Sequence, residues 1–233
     1  MKFKNEPLLG KMNQYELFIT KVTVTAHTDE YPILLETGFL PDERISTFNK
    51  LIWIPTRSVR INLHNFIPSK TQRKIFKNGI TYQVSKLNKD ILLPLYNEYK
   101  QINNYSSQVD EIFLNYSDHN VIYYSYDNKL IGFCVIRKLN GGMISFQFAT
   151  TNYTKLSVGT FSQIAEIEIA KADGYKYLYI GAGYESCCKY KSSFSGFEFW
   201  DGCIWNTDKE LYNTLCDRDD SINNLEDLSK LFL

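Results

Sequence analysis

Apolar and polar residues follow two different periods in the second half of this chain. Three short apolar segments between residues 121 and 149 are separated by the turn sequences Asp127-Asn128 and Asn140-Gly141-Gly142. Short apolar segments bounded by turn residues are typical of strands joined by tight turns, so the pattern predicts an antiparallel meander. The predicted strands are Val121–Tyr126, Lys129–Arg137 and Met143–Ala149.

The period then changes to that of a helix. Apolar residues recur at helical spacing between Gly159 and Asp173, and Gly174 supplies a stop signal. The residues that define this apolar face are Phe161, Ile164, Ala165, Ile169 and Ala172. The apolar segment Tyr175–Ile180 follows as a predicted strand, the last that the pattern shows. A meander, a helix and a further strand beside the meander predict an α/β (α+β) fold with a mixed sheet and flanking helices.

Weaker signals predict the remaining elements. They are a strand at Glu16–Thr25, a short helix at Ile33–Thr37, helices at Asp90–Tyr105 and Val109–Tyr116, and helical segments at Asp208–Cys216 and Leu225–Leu231. A chain of 233 residues is long enough for one large domain or two small ones. We interpret residues 1–89 as an N-terminal lobe that packs on a larger domain of residues 90–233.

Charge adds to this picture because its distribution along the chain is uneven. The chain has 26 basic and 26 acidic residues, yet the window from Arg44 to Lys89 has ten Lys or Arg residues and no Asp or Glu. Such segregation indicates a surface that meets an anion, with nucleic acid as the first candidate. A solvated basic face without a ligand is the alternative. The balanced total charge argues against nonspecific coating of DNA or of a membrane.

Cysteine usage and hydropathy exclude further classes. The five cysteines, at positions 134, 187, 188, 203 and 216, form no C-x-x-C pair. Neither a zinc knuckle nor a disulfide scaffold is therefore indicated, and no metal site is predicted. The first eleven residues have no apolar core segment, and no apolar run has the length that spans a bilayer. We therefore expect a cytoplasmic protein with no membrane partner.

The order of meander, loop, helix and strand resembles the acetyltransferase-type (GNAT) fold. In that family the loop before the helix presents backbone N–H groups to a cofactor pyrophosphate. The corresponding segment here is Lys155-Leu156-Ser157-Val158-Gly159-Thr160. It has one glycine, whereas coenzyme A binders usually show a richer glycine pattern. An N-acyltransferase that uses an acyl-coenzyme A thioester is therefore an alternative and not the first interpretation.

The basic window points to one branch of this fold. The segment Pro68-Ser69-Lys70-Thr71-Gln72-Arg73-Lys74 is similar to the Pro-Ser-Arg-Ser-Gln-Arg-Arg segment of aminoacyl-tRNA–protein transferases, the arginyl- and bacterial leucyl-transferases of the N-degron pathway. Other segments match that family in order: Leu34-Leu35-Glu36-Thr37-Gly38-Phe39, Ile54-Pro55-Thr56-Arg57, Gly174-Tyr175, Tyr177-Leu178-Tyr179-Ile180-Gly181, and the stretch from Gly183-Tyr184 to Tyr190-Lys191. The Cys cluster near the N-terminus of family members has no counterpart, since no Cys precedes residue 134.

This resemblance implies an enzyme that moves Leu or Arg from charged tRNA to the α-amine of an acceptor protein or peptide that begins with Asp or Glu. Aminoacyl-tRNA is then a co-substrate, and no other cofactor is expected. The implied reaction is aminolysis of an ester, in which positioning and oxyanion stabilisation supply much of the rate. A catalytically inactive relative that binds tRNA is the second alternative.

The resemblance and the chemistry of the side chains give a set of candidate site residues. Gln72 and Tyr190 are the candidate catalytic residues. The candidates for substrate binding are Arg57, Arg73, Lys74 and Lys191, because fixed cations suit a carboxylate or a phosphate. The candidates for contact with tRNA phosphates are Lys70, Lys77, Ser157, Gly159 and Thr160, with Lys86 and Lys89 adding diffuse contact. We expect His64 and His119 to be structural.

Overall fold

The computed structural model describes residues 1–12, 15–43, 45–47, 50–103, 114, 119–151, 154–222 and 227, with side chains for these residues except 5–21 and 154. Two predicted helices, Val109–Tyr116 and Leu225–Leu231, lie outside the described residues apart from Leu114 and Asp227. No helix in the described part of the chain combines the length and the apolar content needed to cross a membrane.

Strands and helices are distributed along the whole chain. The strands are β1 (Lys2–Met12), β2 (Tyr15–Thr25), β3 (Phe39–Pro41), β4 (Ile52–Pro55), β5 (Ser58–Asn62), β6 (Thr81–Lys86), β7 (Asn120–Tyr126), β8 (Lys129–Leu139), β9 (Gly142–Thr150), β10 (Tyr177–Ala182), β11 (Phe197–Trp200) and β12 (Trp205–Asn206). The helices are α1 (Tyr31–Glu36), α2 (Lys70–Ile75), α3 (Lys89–Ile102), α4 (Val158–Ala172) and α5 (Lys209–Asp220). The turn between β7 and β8 places Asp127 and Asn128 at positive φ, as a two-residue hairpin turn requires.

These strands form a small and a large sheet. The small sheet has the order β1-β2-β4-β3, and the large sheet has the order β12-β11-β5-β10-β9-β8-β7-β6. Neighbouring strands of the large sheet are antiparallel except β9 and β10, which are parallel. Because parallel neighbours need a crossover connection, the chain between β9 and β10 must pass over one face of the sheet, and α4 makes this crossing.

The large sheet is covered on both faces. In β8, Cys134 and Ile136 belong to the apolar cluster beneath α4, whereas Phe133 and Val135 belong to the cluster beneath α3. Successive side chains of a strand point to opposite faces, so α4 and α3 lie on opposite sides of the sheet. The small sheet packs on the α3 side through a third cluster that includes Tyr179 of β10. The central strands are therefore covered on both faces, and α4 belongs to the cluster that covers the parallel pair on one of them.

The structure confirms the predicted fold class, a mixed and largely antiparallel sheet with flanking helices. The three strands of the meander, α4 and β10 lie within two residues of their predicted bounds. The prediction that Tyr175–Ile180 is the last strand is wrong, because β11 and β12 follow it and extend the large sheet through β5. Both β5 and β6 precede Asp90 and yet belong to the large sheet. The division into residues 1–89 and 90–233 stays a prediction.

Candidate active site

A cavity opens where the two parallel strands separate. β9 and β10 pair at Met143–Leu178 and at Ile144–Tyr179. Past these positions the two strands form opposite sides of a cavity of about 690 Å³, a size typical of small-molecule sites. The residues that the strands contribute are Ser145, Phe146 and Phe148 from β9 and Ile180, Gly181 and Ala182 from β10. α4 and the 3₁₀ segment Ser186–Ser193 supply further walls.

The first turn of α4 lies at the cavity. Ser157 precedes the helix in the left-handed conformation (φ 53°, ψ 47°), which is strained for a residue other than glycine. The first amide to bond back within the helix is that of Phe161, at 3.0 Å from the Ser157 carbonyl. The amides before it have no acceptor inside the helix and form the positive end of its dipole. Ser157, Gly159 and Thr160, the predicted phosphate contacts, all line the cavity.

A polar stripe continues from this first turn along the cavity face of α4. Gly159, Ser162, Gln163 and Glu166 all line the cavity, and their spacing of three and four residues places them in one row on the helix surface. The Ser162 hydroxyl donates to Oε1 of Glu166 at 2.7 Å and lies 2.7 Å from the hydroxyl of Tyr124 on β7. The stripe is therefore organised by hydrogen bonds that reach into the sheet.

Glu166 is the unusual member of this stripe. It is 2% exposed, its Oε2 atom has no hydrogen-bond partner, and no cation pairs with it among the residues that the structure describes. Burial raises the pKa of Glu166, while the hydrogen bond from Ser162 opposes the shift. The neighbouring Gln163 is 5% exposed, and its Nε2 atom also has no partner. Buried polar atoms are normally paired, so two unpaired polar atoms on one helix face are unusual.

The opposite wall depends on an irregularity in β10. The register between β10 and β5 shifts between Tyr179 and Ala182, and Gly181 has a φ of 79°. Such bulges bend a strand and redirect its groups, and they are common beside active sites. The Ala182 carbonyl here accepts a hydrogen bond from Nζ of Lys191 at 2.6 Å.

Tyr190 and Lys191 are neighbours in the chain, and both line the cavity. Lys191 is 6% exposed, and burial lowers the pKa of its ammonium group. The pKa of Tyr190 is raised, first by desolvation and then by the charge of Glu166. Tyr190 and Glu166 both line the cavity. The predicted site residues Tyr190 and Lys191 thus line the same cavity as the first turn of α4. Their roles stay predictions.

The basic helix α2 packs beside the start of α4. The Phe76 ring stacks on the Phe161 ring at 5.2 Å, and Nδ2 of Asn78 donates to the Leu156 carbonyl at 2.6 Å. Four cations on or just after α2 are exposed to solvent. They are Lys70, Arg73 and Lys74 within the helix and Lys77 two residues after its end. These four predicted contacts with phosphate or substrate thus form one basic surface close to the loop that leads into α4.

Two other predicted residues have partners within the protein. Gln72 is buried, and its Oε1 accepts from the Ser69 amide at 2.8 Å, which completes the N-terminal cap of α2. Nη1 of Arg57 pairs with Asp219 at 2.5 Å and donates to the Gly183 carbonyl at 3.1 Å. These contacts give both side chains a structural role. The catalytic role of Gln72 and the substrate-binding role of Arg57 stay predictions.

The basic window is not one continuous surface. Arg60, near its centre, is 4% exposed and pairs with Glu36 and Glu198. Its guanidinium also lies 3.6 Å from the centre of the Tyr177 ring and 3.8 Å from that of Trp205. This residue stabilises the junction between the two sheets and cannot meet an external anion. Among the other described cations of the window, Lys50, Lys86 and Lys89 are exposed as well as those of α2.

Sequence reasoning missed the polar floor of the cavity. The apolar face predicted for the helix does not include Ser162, Gln163 or Glu166. All three are buried. The available signal was their regular spacing behind Gly159, which makes a polar row as ordered as the apolar one.

Comparisons with known proteins confirm the family that the motifs predict. The family model described as "Arginine-tRNA-protein transferase, C terminus" matches residues 68–201. A protein of Saccharophagus degradans named aspartate/glutamate leucyltransferase is 26% identical over 165 residues, which cover 64% of this chain and 70% of that protein. A protein of the same name from Pseudoalteromonas atlantica is 23% identical over 197 residues, covering 78% and 85%.

Solved structures show more distant similarity. The L-PGS structure from Bacillus licheniformis aligns with a TM-score of 0.46 and 12% identity, over 66% of this chain and 49% of that one. A GCN5-related N-acetyltransferase from Kribbella flavida aligns with a TM-score of 0.37 and 11% identity, over 65% and 52%. The chain therefore spans about half the length of these two structures.

Proposed function

Since the chain belongs to the arginine-tRNA-protein transferase family, we propose that it transfers an amino acid from aminoacyl-tRNA to the α-amine of a protein or peptide that begins with Asp or Glu. The observation that carries this proposal is the cavity between β9 and β10. It combines space for an aminoacyl group, a helix N-terminus and a neighbouring basic helix. The cytoplasm, where charged tRNA is made and used, is the proposed location.

The donor enters with its polyanionic end outside the cavity. The exposed cations of α2 contact phosphates near the 3′ end of the tRNA, and such contacts orient the RNA without reading its sequence. The amides of the first turn of α4 meet the terminal phosphate or ribose. The ester that joins the amino acid to the ribose then lies over the cavity, and the amino acid itself points inside.

The chemical step is aminolysis. The nitrogen of the acceptor amine attacks the ester carbonyl, an amide bond forms, the bond between the carbonyl carbon and the ribose oxygen breaks, and the ribose hydroxyl leaves with the proton that the amine gives up. An N-terminal amine has a pKa near ~7.7–8.0, so a useful fraction is neutral without a strong base. In this proposal Tyr190 and Lys191, which line the cavity, donate hydrogen bonds to the carbonyl oxygen in the transition state.

The acceptor is recognised outside the cavity in this scheme. Its first side chain carries a carboxylate, which needs a cation, and Arg73 and Lys74 present exposed cations beside the donor site. Arg57 is the further candidate, although its present partner is Asp219. An acidic side chain and an RNA phosphate then share one basic region, so acceptor binding is expected to weaken as salt rises.

Mass spectrometry tests the proposal directly. The protein is incubated with a total pool of charged tRNA and peptides that begin with Asp, Glu, Asn, Gln or Ala. We expect a mass increase of one amino-acid residue on the Asp and Glu peptides, with the amide peptides as matched controls for charge. Acetyl-coenzyme A in place of tRNA serves as a parallel reaction. Absence of any transfer from charged tRNA, or acylation by the thioester alone, would reject the proposed function.

A further inference from the structure

The strand β6 forms an exposed edge of the large sheet. It is the last strand in the order, and within the described part of the chain it pairs only with β7. All six of its residues, Thr81–Lys86, are exposed. In an antiparallel pair, every second residue of an edge strand directs its N–H and C=O groups away from the partner strand. β6 therefore offers a row of backbone donors and acceptors to a further strand.

The two faces of β6 differ, and both can receive side chains. Gln83 and Ser85 line a groove of about 610 Å³ together with Tyr123 of β7 and the start of α3. Tyr82 and Val84 lie on the other face and are 39% and 38% exposed. An added strand would place its successive side chains alternately in the groove and over this apolar pair.

The charge around β6 favours an acidic partner. Residues 77–89 contain three lysines and no Asp or Glu, and Lys77, Lys86 and Lys89 are all exposed. A second copy of the chain fits this edge less well, because two such strands would bring like charges together. RNA would satisfy the lysines, but it has no regular row of amide groups to pair with a strand. The edge therefore fits an extended polypeptide with acidic side chains.

β6 begins beside the basic helix on which the acceptor is proposed to bind. The Tyr82 ring lies 6.4 Å from the ring of Phe76, which directly follows α2. It also lies 6.2 Å from the ring of Phe161, near the start of α4. The end of α2, the start of α4 and the start of β6 thus meet in one aromatic contact, and the edge of the sheet continues from the proposed site.

The register of the sheet sets the separation between β6 and the cavity. One row of paired residues crosses four strands from the cavity wall to the edge, and it consists of Phe148, Cys134, Ile122 and Val84. Three strand spacings correspond to roughly 14 Å, and an extended chain needs at least about four residues to span that distance. A polypeptide with its first residue at the cavity can therefore reach β6 from about its fifth residue onward.

We propose that β6 binds the extended segment that follows the first residues of the acceptor polypeptide and adds it to the large sheet as a further strand, with a preference for acidic segments. This inference rests on the proposed function. Pairing through the backbone accepts many sequences in extended form, which suits acceptors that have only the first residue in common. The first residue then selects the acceptor, and the later residues add affinity.

Peptides of graded length test where this contact begins. Each peptide begins with Asp and continues with Thr, Val and Glu residues to a total of about four to about twelve residues, and binding is measured by calorimetry without tRNA. We expect a constant affinity up to about the fifth residue and a gain of at least about tenfold as the segment that covers β6 is added. An affinity that does not change with length, or no binding of the longest peptide, overturns the proposal.

A scan of N-methyl groups along the longest peptide tests whether its backbone forms the contact. A strand directs every second N–H group toward its neighbour. N-methylation past about the fifth residue should therefore alternate between a loss of at least about threefold and little change. The insensitive positions are matched controls for the sensitive ones. A loss that is the same at all positions, or absent from all of them, overturns pairing with β6.

A charge reversal on β6 tests the preference for acidic segments. Lys86→Glu should weaken binding of the long acidic peptide by about threefold or more and leave a matched peptide with Gln in place of Glu after the first residue nearly unchanged. Lys50→Glu, an exposed position beside the small sheet, should alter neither affinity. An effect of Lys86→Glu on the acidic peptide no larger than that of Lys50→Glu overturns the preference.

Transfer assays separate this inference from the function on which it rests. With charged tRNA and low peptide concentrations, transfer to the longest peptide should exceed transfer to a peptide of about five residues by at least about tenfold. Equal transfer at all lengths would support the proposed function and overturn the role of β6. Binding that depends on length and alternates in the N-methyl scan, without transfer, would support the contact and reject the proposed function. A dimer of the unliganded protein that Lys86→Glu dissociates would assign this edge to a second copy and overturn the proposal.

Discussion

Replacement of Glu166 by methionine should stabilise the unliganded protein at neutral and alkaline pH. The side chain is 2% exposed, and Oε2 has no partner. An unsatisfied buried polar group costs about 1–3 kcal/mol, and more when it is charged. Methionine has a similar length and no such requirement, and the hydroxyl of Ser162 keeps Tyr124 as a neighbour at 2.7 Å. We therefore expect a gain of about 1–3 kcal/mol in the free energy of unfolding at pH 8.

The gain should depend on pH in one direction. Burial raises the pKa of Glu166 above its value of 4.5 in an unfolded chain. Between these two pKa values the folded state holds a proton that the unfolded state has lost, so stability falls as pH rises. Below pH 4.5 both states are protonated and the electrostatic cost is absent. The advantage of Glu166→Met should thus be smallest near pH 4.5 and grow until the pH exceeds the pKa of the folded state.

Urea unfolding at several pH values measures this difference, because the midpoint and slope give the free energy for each variant. Thermal unfolding should show a rise of about 2–4 °C for each kcal/mol in a protein of this size. Glu168→Met is the matched control on the exposed side of α4, and it should change stability by no more than about 0.5 kcal/mol. If Glu166→Met is no more stable than the unaltered protein at pH 8, Glu166 is compensated in solution and the reasoning fails.

Two further predictions concern the walls and the rim of the cavity. Gly181→Ala should cost roughly 1–2 kcal/mol of stability, because φ is 79° there, and should lower the transfer rate by at least about tenfold, because the wall of the cavity moves. The control is Gly174→Ala, which has a φ of 77° but lies away from the cavity. It should show the same loss of stability in urea unfolding and keep full activity. Arg73→Glu and Lys74→Glu should each weaken tRNA binding, and each should reduce the slope of the logarithm of the affinity against the logarithm of the salt concentration by about 0.7–0.9. Lys50→Glu, in the same basic window but beside the small sheet, should change neither quantity. Unchanged binding in both α2 variants would remove α2 from the RNA-binding surface.

The parts of the fold that the sequence predicted are those in which local pattern and environment agree. The meander has short apolar strands with turn residues between them, and α4 has a regular apolar face with a glycine after its end. β5 was missed for the opposite reason. All of Ser58–Ile61 is buried, including Arg60, and the partners of that arginine lie at Glu36 and Glu198, far away in sequence. No local pattern reports such an arrangement.

The same reasoning explains which parts of the candidate site could be predicted. The loop before α4 and the pair Tyr190 and Lys191 carry sequence motifs, and the structure places them at one cavity. The floor at Glu166 carries no motif, because a glutamate in the middle of a helix usually faces water. It is buried because strands of the large sheet and the segment 186–193 close around it, and that closure depends on tertiary contacts.

The polar row on α4 also bears on how the cavity could be altered in the laboratory. Ser162, Gln163 and Glu166 lie on one face of one helix, so three substitutions would change the floor of the cavity from polar to apolar. The sheet, the bulge at Gly181 and the basic helix α2 would keep their own contacts. A small combinatorial library at these three positions would therefore vary the interior of the cavity while the surrounding fold stays constant.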